Sequence, residues 1–284
     1  MKRLSVFCML LLAAPCFGAR SITDELGRTV QIPDRPHRLI CIMPNVADDV
    51  YSLGAGDAVI AVSDFTRYPA EATKKPSIGL PLSPSIEKIV SLHPDLVIGS
   101  GDLNSMEVAD RLQQSGIALF MVNPHGIDGI YRSLATLGKA LNREAGAATL
   151  IARLKAREMA ARRRGAGKPI VRVFMPIWYD PVITIGRNAF ITELIEAAGG
   201  KSITDDIAQE WPQVSMETVV SRSPDAILLV QGPRMTGKIL SSQPGWQALA
   251  AVKAERFYYA DERMNYPSPV AFDALEDLAK QFHP

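Results

Sequence analysis

The sequence predicts an α/β chain built of two lobes. Three features carry this: short apolar runs alternate with helix-like stretches, the alternation occurs twice, and a long Ala-, Leu-, Arg- and Lys-rich segment without proline separates the two series. Strands alternating with helices call for a largely parallel sheet covered on both faces. Each lobe is therefore expected to be Rossmann-like, a central sheet flanked by helices, with one long rigid helix joining the lobes and a cleft between them.

In the first series, residues 24–30 (Asp-Glu-Leu-Gly-Arg-Thr-Val) have the alternation and turn glycine of a small hairpin. Buried strands are expected at 38–43, 58–62, 96–98 and 117–122. Helices are expected at 47–53, 86–91 and 105–115, with Gly54, Pro94 and Gly116 as stops. The segment 130–164, broken by Gly138 and Gly146, reads as two helices, the second running from 143 to 164. Its apolar positions Leu150, Ile151, Leu154 and Met159 share one face. Arg153, Arg157, Arg162, Arg163 and Arg164 fit a solvated face better than a nucleic-acid stripe. The second series has strands at 171–176, 226–230 and 256–259 and helices at 189–198, 217–221, 246–252 and 269–282. The expected divisions are an amino-terminal lobe at 20–135, a connecting helical segment at 136–168 and a carboxy-terminal lobe at 169–284.

The first residues point to export. Lys2 and Arg3 precede an apolar run at 4–14, and Pro15-Cys16-Phe17-Gly18-Ala19 follows with small residues. That order is the signature of a secretory signal peptide over 1–19, cut after Gly18 or Ala19, and it implies a periplasmic product. The run falls short of the roughly 20 residues that span a bilayer. Cys16 follows Pro15, where a lipoprotein signal has a small residue, so lipid anchoring is not expected. Cys41 is then the sole cysteine of the mature chain and suits a small buried hydrophobe. No zinc or redox spacing of cysteines is present. The chain carries 31 Lys and Arg against 30 Asp and Glu. Losing Lys2 and Arg3 brings the net charge to about −1, which argues against nucleic acid as a partner.

A repeat links the two series. Ser85-Ile86-Glu87-Lys88-Ile89-Val90-Ser91-Leu92-His93-Pro94-Asp95 aligns without gaps to Ser215-Met216-Glu217-Thr218-Val219-Val220-Ser221-Arg222-Ser223-Pro224-Asp225. Ser85 and Ser215 suit helix N-caps, whose hydroxyls accept orphan backbone N–H groups. Glu87 and Glu217 fall in the first turn, where the helix dipole favours a carboxylate. Pro94 and Pro224 stop the helix. On spacing alone, the glutamates either support helix starts or serve a partner.

With this motif in both halves, the chain resembles the periplasmic binding proteins for cobalamin, haem and ferric siderophores, over essentially all of the mature sequence. Trp211-Pro212-Gln213-Val214-Ser215 is especially similar to the cobalamin-binding members. The resemblance implies a monomeric solute-binding component of an ABC importer, with no cofactor of its own. It would carry a large chelate or corrinoid to a permease dimer. It also implies that Glu87 and Glu217, one per lobe, meet arginines of the two permease subunits.

Ligands of two-lobed α/β proteins sit at strand carboxyl ends. The residues expected there are Pro44, Asn45, Tyr68, Trp178, Tyr179, Trp211, Arg263 and Tyr266, with Arg67, Ser100 and Gln231 nearby. Aromatic side chains would supply flat apolar surface, and arginine would meet carboxylate or phosphate. Trp246, inside a helix pattern, is expected in the core. All three tryptophans lie in the second half, and the matching first-half places near Pro81 and Ser100 are not aromatic. Cobalamin, another corrinoid, a ferric siderophore and haem therefore all remain open. An enzyme is not indicated: G-x-S-x-G, H-E-x-x-H and P-loop motifs are missing, and His37, His93, His125 and His283 are scattered, with no metal-ligating set.

Overall fold

The computed structural model describes residues 18–101, 106–232 and 235–284. Nearly all of the expected leader, Cys16 included, lies outside these residues, as does the start of the helix expected at 105–115.

Each series folds around its own parallel sheet. In the first, β1 (Leu39–Cys41), β2 (Val59–Val62), β3 (Leu96–Ser100) and β4 (Leu119–Val122) lie in the order β2-β1-β3-β4. In the second, β5 (Val171–Phe174), β6 (Gly200–Ser202), β7 (Ala226–Val230) and β8 (Phe257–Ala260) lie in the order β6-β5-β7-β8. The two sheets thus have the same topology. β1, β2, β4 and β7 read as unbroken apolar runs because both faces are covered. Leu39 and Cys41 point into one core, and Ile40 and Ile42 into another on the opposite face. Val173 and Phe174 divide in the same way.

The helices of the first half are α1 (Pro44–Ser52), α2 (Ile86–Ser91), α3 (Met106–Gln114), α4 (Gly126–Ala140) and α5 (Glu144–Gly165). Those of the second are α6 (Phe190–Ala197), α7 (Met216–Arg222), α8 (Gly237–Ser242), α9 (Ala250–Lys253) and α10 (Ala271–Phe282). The first connecting helix starts at Gly126, ahead of the expected 130, since Ile127 and Ile130 both reach the core. α5, at 22 residues, spans about 33 Å at 1.5 Å per residue. Its Arg157 pairs with Asp273 and Glu276 of α10, each at 2.6 Å. Arg153 and Arg163 face solvent, as the solvated-face reading expects. The single helix expected at 246–252 is instead a 3₁₀ turn, Trp246–Ala248, followed by α9, with an extended Leu249 between them. Trp246 is in the core against Phe174.

One apolar core is shared by both halves. It includes Leu39, Ile98 and Phe120 of the first sheet, Val173 and Leu228 of the second, and α4, α5, α6 and α10 between them. Tyr131 and Phe272 meet there with ring centroids 5.9 Å apart. The lobes are held by this common packing as well as by the connecting helix.

Candidate functional site

Segments leaving the strand carboxyl ends bring the two lobes together. Asp48 of α1 accepts a hydrogen bond from the Val270 N–H at the start of α10, at 2.9 Å. Tyr68, following β2, donates its hydroxyl to Glu262 Oε1 at 3.1 Å, after β8. Arg67 lies 3.7 Å from the same carboxylate, and Tyr68 meets Tyr266 edge-to-face, centroids 5.4 Å apart. Tyr68, Arg67 and Tyr266 are thus assembled at one seam between the lobes.

The second-lobe aromatics stand on a small antiparallel sheet. Pro176–Tyr179 pairs with Val182–Thr184, and Gln213 bridges to Ile183. The register sets Trp178, Ile183 and Gln213 in one cross-strand row. Trp211, two residues before Gln213, lies in the bend that leads into this row. Trp178 stacks on Tyr179 at 5.5 Å and donates its indole N–H to the Asp180 carbonyl at 2.8 Å.

The first lobe answers with apolar residues other than tryptophan. The strands Gly79–Leu80 and Ser83–Pro84 form a short hairpin beside Asp64, whose N–H donates to the Gly79 carbonyl. Phe65, Leu80 and Leu82 are 62%, 48% and 63% exposed, against 45% for Trp178 and 47% for Trp211. Leu80 and Leu82 flank Pro81, the position matched to Trp211. Five large apolar side chains thus lie open on the segments that follow the strand carboxyl ends of both lobes. Exposed apolar surface of this kind suits burial against a bulky, partly apolar partner.

Pro44 opens α1 half-buried. Asn45 is buried, and its Nδ2 lacks a partner among the described residues, as do the hydroxyls of Ser63 after β2 and Ser100 at the end of β3. These orphaned polar groups all fall at the carboxyl edge of the first sheet. Arg263 is committed elsewhere than expected. Its guanidinium donates to Asp261 at 2.8 Å, Asp273 at 2.9 Å and Asp277 at 3.3 Å, within its own lobe. Asp261 first, then Asp273, raise its pKa further, and the three carboxylates leave it a brace between the loop after β8 and α10. A surface cavity of about 580 Å³, lined by Arg35, His37, Asp57 and Arg143, lies at the amino ends of β1 and β2, away from these aromatics.

The repeated motif is built alike in both lobes. Ser85 Oγ accepts from the Lys88 N–H at 3.3 Å and Ser215 Oγ from the Thr218 N–H at 3.2 Å. Glu87 and Glu217 are exposed in the first turns of α2 and α7, and neither has an ion-pair partner among the described residues. His93 and Ser223, the matched residues past the two helices, both have φ 46°.

Residues 39–264 match the model of the periplasmic binding protein family. The chain belongs to that family. A relative in Bacillus subtilis, named an uncharacterised ABC transporter substrate-binding lipoprotein, is 28% identical over 93% of this chain and 85% of its own. The vitamin B12-binding protein of Pectobacterium carotovorum is 30% identical over 76% of this chain and 78% of its own. The crystal structure of the periplasmic vitamin B12 binding protein of Vibrio cholerae superposes with a TM-score of 0.73 at 25% identity, covering 86% of this chain and 96% of that one. In this binding protein, the two matched sheets are the centres of the two lobes.

Proposed function

We propose that this binding protein captures a corrinoid-like chelate in the periplasm and hands it to the permease dimer of an ABC importer. The observation that carries the reading is the exposed apolar set on both lobes, Phe65, Leu80 and Leu82 with Trp178 and Trp211. A corrin ring is large, flat and partly apolar, and surfaces of this kind bury such a ring with little conformational entropy cost. Tyr68 and Tyr266 at the seam, and Asn45 at the carboxyl edge of the first sheet, supply polar groups for its periphery. The cobalamin-related names of relatives spanning most of the chain support the same class. Glu87 and Glu217, unpaired and matched, are the surface offered to the permease, with ligand transfer and no bond-making as the activity.

Calorimetric titration with cyanocobalamin, cobinamide, haemin and a ferric hydroxamate tests the reading. Saturable one-to-one binding of the corrinoids is expected. Preference for haemin or the hydroxamate would move the ligand within the class, and tight binding of a free amino acid or sugar instead would overturn it. Export through the 1–19 leader without lipidation belongs to the same proposal. One relative is named a lipoprotein, so the mass of the mature chain decides between cleavage near Gly18 or Ala19 and a lipid on Cys16.

A further inference from the structure

α2 has six residues and α7 has seven. Helices this short do not hold themselves together in water, because nucleation costs more than so few hydrogen bonds return. The serine N-caps secure their front ends. What secures the back ends is the same in both lobes and comes from outside the motif. Arg38, just before β1, donates from Nη2 to the Leu92 carbonyl at 2.6 Å and from Nε to the His93 carbonyl at 2.9 Å. Arg172, in β5, donates from Nη2 to the Arg222 carbonyl at 2.7 Å. Leu92 and Arg222 are the same position of the repeat. A guanidinium at a helix carboxyl end satisfies orphan carbonyls and complements the dipole.

Each arginine is itself locked by the aspartate of the repeated Pro-Asp. Asp95 accepts from the Arg38 N–H at 3.0 Å and from the His37 N–H at 2.7 Å, and its own N–H returns to the Arg38 carbonyl at 3.1 Å. Asp225 accepts from the Arg172 N–H at 3.0 Å and returns to the Arg172 carbonyl at 2.8 Å. The reciprocal pair ties the arginine backbone, at the first strand of its sheet, to the aspartate that leads into the neighbouring strand β3 or β7, so the side chain transmits the sheet's position to the helix.

We infer that Arg38 and Arg172 are positioning residues for Glu87 and Glu217: each fixes one docking helix to its sheet and thereby sets where that glutamate stands. The inference rests on the docking reading of the two glutamates. It predicts that two carboxylates on separate lobes are presented at a defined spacing only while both braces hold.

The test measures that spacing directly. In the full chain with Cys8 and Cys16 replaced by serine, spin labels at Glu87→Cys and Glu217→Cys report a distance distribution by pulsed electron resonance. Cys41 is buried and stays unlabelled. Arg38→Ala and Arg172→Ala are each expected to roughly double its width by freeing one short helix, and the pair to broaden it further. Arg38→Lys, which keeps one charged donor, falls between. A general loss of stability lowers the melting temperature without widening the distribution of the folded state, so the two effects separate. An unchanged width in both alanine variants overturns the inference. The docking reading fails on a different result, normal transport by Glu87→Ala with Glu217→Ala.

Discussion

The Tyr68 hydroxyl donates to Glu262 across 194 residues of sequence, closing a contact between the lobes at the seam where the ligand is proposed to bind. Donation requires the neutral phenol. Burial first, then the hydrogen bond to Glu262 and its charge, pushes the Tyr68 pKa up to about 12. A group whose folded pKa is raised contributes stability that is complete below its ordinary pKa and disappears as pH climbs through the folded value. The contact should therefore persist through mildly alkaline solution and be lost between about pH 10 and 12. Spectrophotometric titration of the phenolate band should show a late-ionising tyrosine that vanishes in Tyr68→Phe. Because the pair is partly exposed, that substitution should cost about 1 kcal/mol or less, while small-angle scattering records a wider spread of lobe separations.

Phe65 combines 62% exposure with a left-handed backbone, φ 67°. That conformation strains a residue with a Cβ by about 1–2 kcal/mol, and an exposed phenyl ring gains little from folding. Phe65→Gly should therefore leave stability unchanged or raise it by up to about 1 kcal/mol. If the ring lines the cleft, the same variant should lose roughly tenfold in corrinoid affinity, the worth of one well-placed aromatic contact. Phe120→Ala provides the opposite signature. It removes a fully buried core side chain and should cost about 3–5 kcal/mol in denaturant melts. Equal affinity for Phe65→Gly and wild type would take Phe65 out of the cleft.

Asp49 is 1% exposed, and neither carboxylate oxygen has a hydrogen-bond partner among the described residues. Burial first, then the charges of Asp48 and Glu25, raises its pKa well above the usual carboxylate range. A raised carboxylate favours the fold at acid pH and withdraws that contribution as pH rises from the ordinary carboxylate pKa through the folded one. Asp49→Asn, which mimics the protonated form, should therefore be more stable than wild type at pH 8, by about 1–3 kcal/mol. The gap should shrink steadily on acidification towards pH 4, as thermal melts at several pH values will show. A constant gap across that range would mean the benefit is unrelated to ionisation.

Much of this architecture was legible because its elements are long, apolar and punctuated. The strands around Ile40, Ile98 and Leu228 read as apolar runs, and Gly54, Pro94 and Gly116 marked ends that the structure keeps. The motif repeat located α2 and α7 to within a residue. The misses share a physical cause. The hairpin carrying Leu80 and Leu82 has two-residue strands, too short for any alternation to register. Pro176–Tyr179 and Val182–Thr184 are separated by a turn at Asp180-Pro181, and the strand expected at 171–176 blurred into the first of them. Arg263 looked available because its three carboxylate partners sit on both sides of it, two of them a helix turn or more away on α10. Arg38 and Arg172 carried no signal at all, since a charged residue beside a buried strand is ordinary until its partner carbonyls are seen.

The docking reading makes the sharpest prediction about transport. Glu87 and Glu217 are exposed, unpaired among the described residues, and distant in sequence from every aromatic of the proposed cleft except Trp211, which lies near the Ser215 cap. Each carboxylate at a helix start stabilises its helix by about 0.3–1 kcal/mol, so replacing both with alanine should lower the melting temperature only slightly. Binding of the corrinoid panel should be unchanged within error. Uptake by cells lacking the wild-type chain should fall by an order of magnitude or more, because two charge-assisted contacts with a permease are lost together. Single variants should be intermediate, since the opposite lobe keeps its contact. Raising the salt concentration should weaken permease association of the wild type and leave the residual association of the double variant nearly unaffected. Loss of ligand affinity in parallel with uptake would show instead that these glutamates support the fold of the cleft.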